Sequence, residues 1–117
     1  MEENLKLCAV DDLEDGGSAG LIGEVGGKRQ SLIGVRRGER VYVYVNRCPH
    51  IGAPLNLDIG DAPAGRFLTR DRRHILCVNH GARFEFEDGL CVAGPCVNQN
   101  LESVPVTIEG GYVYLNS

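Results

Sequence analysis

Two short stretches of this chain could do metal chemistry: Cys48-Pro49-His50 and Cys77-Val78-Asn79-His80-Gly81. Each brings one soft thiolate and one borderline imidazole, rather than sorting cysteines and histidines into separate loops. A mononuclear tetrahedral site has no use for that distribution. Two such loops facing each other, each with its Cys inward and its His outward, naturally build a two-iron cluster in which one iron takes both sulfurs and the other both nitrogens. Two blander readings stand beside it. The four residues could be core cysteines and surface histidines that happen to be close in sequence. They could also form a structural Cys2His2 zinc site, although zinc loops usually carry wider spacings than Cys-x-His.

The segments that must position these residues read as strands. Val41-Tyr42-Val43-Tyr44-Val45 is β-branched and aromatic throughout, the strongest strand signal in the sequence, and it feeds through Asn46-Arg47 directly into Cys48. Pro49 fixes the backbone between the first two candidate ligands. His74-Ile75-Leu76 is a second strand that enters a loop, at Cys77, and His74 is read as a plain strand residue. Gly81 is expected to let the backbone approach inorganic sulfide and donate its N–H there. Arg83 to Glu87 alternates and turns at Asp88-Gly89, with Leu90 to Gly94 as the return strand. Elsewhere, Leu5 to Val10 predicts a first strand, Asp11 to Gly17 a solvated acidic loop that could alternatively be an acidic docking surface, and Gly26-Gly27-Lys28 a turn between two short strands. Asn56 to Gly65 is turn-rich, and Arg66 to Arg73 predicts a charged hairpin that could alternatively serve as a basic patch guiding a partner. Val104 to Ile108 and Tyr112 to Leu115, around Gly110-Gly111, predict a closing hairpin, and no helix is expected.

Composition bounds the rest. A chain of 117 residues, 43% hydrophobic, is expected to be a single domain over residues 1–117, and sixteen glycines with no Trp point to an all-β fold. No apolar run approaches the roughly 18 residues of a membrane-spanning helix. The opening Met1-Glu2-Glu3-Asn4 is acidic where a secretory signal would be basic, so the chain is read as complete and cytoplasmic. Five cysteines, an odd number, argue against a disulfide framework, and Cys91 and Cys96 are expected to be reduced packing residues. A net charge of −4 and a pI near 5.3 disfavour nucleic acid and membrane surfaces as partners.

With both motifs in view, the chain resembles the Rieske-type [2Fe–2S] ferredoxins, whose two boxes read C-x-H and C-x-x-H. The similarity continues through Gly52-Ala53-Pro54-Leu55, Gly81-Ala82-Arg83-Phe84, Asp88-Gly89 and Gly94-Pro95 to Val104-Pro105-Val106, most of the chain from about residue 30 onward. Two departures are a long segment between His50 and Cys77, and Asn79 where many members carry an aromatic residue. The resemblance implies an all-β Rieske fold, with an antiparallel β-sandwich base and a small cluster-binding subdomain inserted at about residues 46 to 90. It implies Cys48, His50, Cys77 and His80 as the ligands of one [2Fe–2S] cluster. It also implies a soluble monomeric one-electron carrier, not itself an enzyme, that takes electrons from a flavin-dependent ferredoxin reductase and passes them to a terminal ring-hydroxylating oxygenase. The cluster domain would use the whole chain, leaving nothing for a substrate pocket. Alternative readings are the small subunit of an NADH-dependent nitrite reductase and a zinc-binding interaction module. High-potential members of the family carry an extra Cys in each box and Ser and Tyr donors to the sulfurs. The matching positions here hold Ala53, Asn79, Ala82 and Phe84, which implies a low potential.

Overall fold

The computed structural model describes residues 6–47, 68–69, 73–77, 81–94 and 97–116. In chain order its strands are β1 (Lys6–Ala9), β2 (Ser18–Val25), β3 (Lys28–Arg37), β4 (Arg40–Val45), β5 (Ile75–Cys77), β6 (Ala82–Phe84), β7 (Cys91–Ala93), β8 (Ser103–Val104), β9 (Val106–Glu109) and β10 (Tyr112–Leu115). They form three antiparallel sheets, β1-β10-β9, β2-β3-β4-β8 and β5-β6-β7. The fold is all-β, as expected. The only helical element among the described residues is one 3-10 turn at Val10–Asp12.

The four-stranded sheet lies between the other two because its central strands are apolar on both faces. Leu32, Val41, Val43, Val45 and Val104 pack with Val113 and Leu115 of the β1-β10-β9 sheet. Ile33, Val35 and Tyr44, one residue out of phase, pack instead with Ile75, Cys77, Ala82, Phe84 and Cys91 of the β5-β6-β7 sheet. Side chains alternate along a strand, so a continuous apolar run is what a strand covered on both faces requires.

Several boundaries differ from the sequence reading. The strands around Gly26-Gly27 are eight and ten residues long, because β2 pairs with β3 along Lys28–Val35 and β4 along Leu32–Arg37, so that every residue of β3 has a partner. The expected strand from Val104 to Ile108 is split at Pro105, which has no N–H to give a ladder. Residues before it pair with β4 and residues after it with β10, so the proline marks where the chain changes sheets. His74 stands just before β5, its ring Nε2 2.8 Å from Glu85 Oε2. The acidic segment is more than a solvated loop: Leu13 is buried beneath it, and the Arg36 guanidinium donates to the carbonyls of Leu13 (2.8 Å), Val10 (3.3 Å) and Gly38 (2.7 Å). Of the charged hairpin expected at Arg66 to Arg73, the structure shows Leu68 bridged to Ile75 and the Thr69 amide donating to His74 O; Arg66 and residues 70–72 lie outside the described residues, as does Asn56 to Gly65.

Tyr44 ties the middle sheet to the β6–β7 turn. Its ring is buried at 2% exposure and its hydroxyl donates to the Phe86 carbonyl at 2.5 Å. Arg37, at the end of β3, reaches the same turn, stacking 4.2 Å from the Phe86 ring centre and pairing with Glu87 at 2.8 Å. Burial, and secondarily the charges of Asp88, Glu87 and Tyr42, push the Tyr44 phenol well above its ordinary value. The neutral phenol is therefore favoured by the fold: this stabilisation is present below the ordinary tyrosine value of about 10 and is lost as pH rises above it. Tyr44→Phe removes the donor and leaves the buried Phe86 carbonyl without it, at an expected cost of about 1–3 kcal/mol in urea denaturation at neutral pH. The variant should also lose part of the wild-type decline in stability above about pH 10. A variant as stable as the wild type would mean that this tie contributes nothing.

Candidate metal centre

The second motif sits at the open end of the β5–β6 hairpin. β5 carries alternating buried residues, Ile75 and Cys77, toward the middle sheet, so the same period that packs Ile75 turns the Cys77 thiol inward, with no solvent exposure. Cys77 pairs with Ala82 across the hairpin, and the Gly81 amide donates to the Cys77 carbonyl at 3.0 Å, closing a five-residue turn. Gly81 makes that closure at φ +73, a backbone region costly for any side chain. The Gly81 N–H thus has a partner within the chain, the Cys77 carbonyl.

The first motif leaves the end of β4. Beyond Val45, the Asn46 amide donates to the Ser31 carbonyl at 2.9 Å and its side-chain amide to Ser31 Oγ at 3.2 Å, so the β3–β4 ladder continues to the residue before Arg47. The Arg47 amide then turns back to the Val45 carbonyl at 2.8 Å. Cys48 follows immediately, on a chain anchored to its neighbour by both backbone and side chain. Of the four expected ligands, Cys77 lies within the described residues, whereas Cys48, His50 and His80 lie outside them. Among the described residues alone, no group of three potential metal ligands is assembled.

A third segment reaches the same hairpin. Gly94, directly after β7, lies so close to Ala82 that a Cβ there would stand 2.7 Å from the Ala82 Cα, and its φ of +101 is a second reason for glycine. The chain therefore starts the Gly94-Pro95 loop in contact with the β6 residue that follows Gly81; Pro95 and Cys96 themselves lie outside the described residues. Cys91 is buried, its Sγ donating to the Ala93 carbonyl at 3.2 Å. Sequence reasoning missed the Ser31–Asn46 anchor and the Ala82–Gly94 contact. The small pair Gly81-Ala82 beside a later Gly94 is the signal that could have suggested the second.

Comparison with known proteins bears on this arrangement. The Rieske [2Fe-2S] domain family matches residues 3–107. Among solved structures, a ferredoxin of Sphingomonas yanoikuyae B1 is 28% identical, with 97% of each chain covered and a TM-score of 0.71. A chain from a complex of reduced oxygenase and oxidized ferredoxin in carbazole 1,9a-dioxygenase is also 28% identical, over 95% of this chain and 90% of that one, with a TM-score of 0.70. The ferredoxin of carbazole 1,9a-dioxygenase from Nocardioides aromaticivorans IC177, 24% identical over 94% and 93% of the two chains at a TM-score of 0.68, shares the fold. A search of curated proteins gives no match. The chain belongs to the Rieske [2Fe-2S] domain family, and its cofactor is a single Rieske-type [2Fe–2S] cluster.

Proposed function

We propose that this protein is a soluble, cytoplasmic, monomeric one-electron carrier, and that Cys48, His50, Cys77 and His80 hold its cluster. The observation that carries the reading is length. The chain and a ferredoxin cover 97% of each other, so the cluster domain accounts for essentially all of both. The one expected ligand among the described residues, Cys77, fits the cofactor. Cys77 offers a thiol sealed from solvent, the donor an inner iron needs, and the Gly81 amide is bonded to its carbonyl. Among the described residues no helix is long and apolar enough to cross a membrane.

Bound there, the cluster supplies a one-electron couple at a fixed point of the protein. The chain's part is to hold that point rigid and set its potential. Cys48 and Cys77 would hold one iron as thiolates, which favour its ferric state, and His50 and His80 would hold the other as neutral imidazoles, which would make it the better electron acceptor. The donor would be a flavin-dependent ferredoxin reductase and the acceptor a terminal oxygenase. The oxygenase half is supported by the 28% identical chain taken from an oxygenase–ferredoxin complex. Residues 46 to 90 would form the cluster-binding part of a single domain.

Two measurements test this. His50→Ala and His80→Ala should each abolish the Rieske visible and EPR spectra; an unaltered spectrum in either variant would refute the ligand assignment. The potential should lie near the lower bound for Rieske centres, roughly −150 mV. The reason is the lack of donors: Ala82 and Phe84 are both fully buried, Phe84 packs into the core, and neither can donate a hydrogen bond to sulfur. Protein-film voltammetry at neutral pH giving a midpoint above about +100 mV, toward the upper end of the Rieske range, would contradict it.

A further inference from the structure

Charge is distributed along this chain in three blocks. Residues 24–83 carry eleven Lys and Arg against five Asp and Glu, a net of +6, while residues 1–23 (one against six) and 84–117 (none against five) are each −5. The central block contains both cysteine–histidine motifs.

The fold engages two of its cations at the end of the middle sheet remote from Cys48. There Arg36 donates to the carbonyls of Val10, Leu13 and Gly38 and stands 3.7 Å from Asp11, and Arg37 is held by Glu87 and the Phe86 ring, while the exposed Arg40 makes no ion pair among the described residues. The acids of the 11–15 loop are fixed at this same end, Asp15 accepting from the Gly38 amide at 2.7 Å. At the opposite end, Lys28 and Arg29 begin β3 and Arg47 directly precedes Cys48. All three are exposed, and none makes an ion pair among the described residues. The register that pairs Leu32 with Val45 and Ser31 with Asn46 brings the start of β3 alongside the chain entering Cys48. Glu24, in register with Arg29, and Glu102, whose carbonyl accepts from Val45, are the described acids nearby. Arg83, exposed on β6 two residues after Gly81, adds a cation beside the second motif.

We propose that Lys28, Arg29 and Arg47, with Arg83 on the other flank, form the docking surface through which the carrier meets its redox partners, and that those partners present carboxylates around their own electron-transfer site. This rests on the reading that Cys48 and Cys77 hold the cluster. The overall charge of −4 points the other way, and distance decides between them. β3 is ten residues long, so its ends are about 30 Å apart at roughly 3.4 Å per residue. The Debye length is about 8 Å at physiological ionic strength. A partner approaching Cys48 therefore feels the cations beside it, and the acidic loop at the far end is screened.

The test uses the purified holoprotein, reduced with dithionite, and two one-electron oxidants of opposite charge. Hexacyanoferrate(III) takes one electron from the reduced protein and becomes hexacyanoferrate(II); hexaammineruthenium(III) becomes hexaammineruthenium(II). Stopped-flow bleaching and recovery of the cluster absorbance gives the rate of each as a function of ionic strength. From about 0.1 M upward, where the Debye length is about 10 Å or less, the local patch predicts that oxidation by the anion slows as salt is added and that oxidation by the cation accelerates. The double variant Lys28→Glu/Arg29→Glu, with its visible spectrum intact, should slow the anion on the order of tenfold at about 0.1 M salt and reverse the slope. Arg40→Glu, at the far end of β4, should change the rate little. The opposite salt dependence in the wild type, or equal effects per unit charge of the near and far substitutions, would overturn the docking surface while leaving the carrier reading in place. A protein without the cluster spectrum would overturn both.

Discussion

The structure depends on one constraint: β3 and β4 are buried on both faces at once. Leu32 and Ile33 are adjacent in sequence yet belong to different cores, as do Val43 and Tyr44. A strand in that position cannot slip by a residue without exchanging one core for the other, because a one-residue shift turns every side chain to the opposite face. The register of the middle sheet is therefore fixed twice over. The chain that runs on from β4 into Cys48 inherits that precision, and the Ser31–Asn46 hydrogen bonds extend it to the last residue but one before the cysteine. A metal centre whose ligands come from two distant loops needs such a frame, since ligand geometry is only as well defined as the elements that carry it.

The small β5-β6-β7 sheet is positioned by the same frame. Among the described residues it has three short strands, and it borrows one face of the middle sheet as its core. Tyr44 and Arg37 fasten the turn at one end of it. At the other end lie the turn closed by Gly81 and the close approach of Gly94 to Ala82. Attachment at one end and a candidate ligand loop at the other is the arrangement that the proposed carrier would need for its cofactor to change charge with little reorganisation.

Much of this was legible in the sequence. Val41 to Val45 announced β4 through β-branched and aromatic content, and Cys-x-His with Cys-x-x-His announced the cluster family because thiolate and imidazole alternate in each motif. The parts that were not legible depend on long-range pairing. Pro105 reads locally as a neighbour of a strand, but that it divides two sheets follows only from where β4 and β10 lie. That the Gly81 amide donates to the Cys77 carbonyl was not legible either, because a glycine next to a candidate ligand can serve a close approach or a turn equally well. Nothing local marks Arg36, because the carbonyls of Val10 and Leu13 to which it donates belong to a loop more than twenty residues away in sequence.

The central claim is that one iron is held by the sulfurs of Cys48 and Cys77 and the other by the nitrogens of His50 and His80. Electron–nuclear double resonance on the dithionite-reduced protein reads this directly, since nitrogen nuclei bonded to the paramagnetic centre show strong hyperfine couplings. The account predicts two distinct strongly coupled nitrogens, both altered when the protein is labelled with 15N-histidine. The absence of strongly coupled nitrogen, as in a centre held by four thiolates, would contradict it.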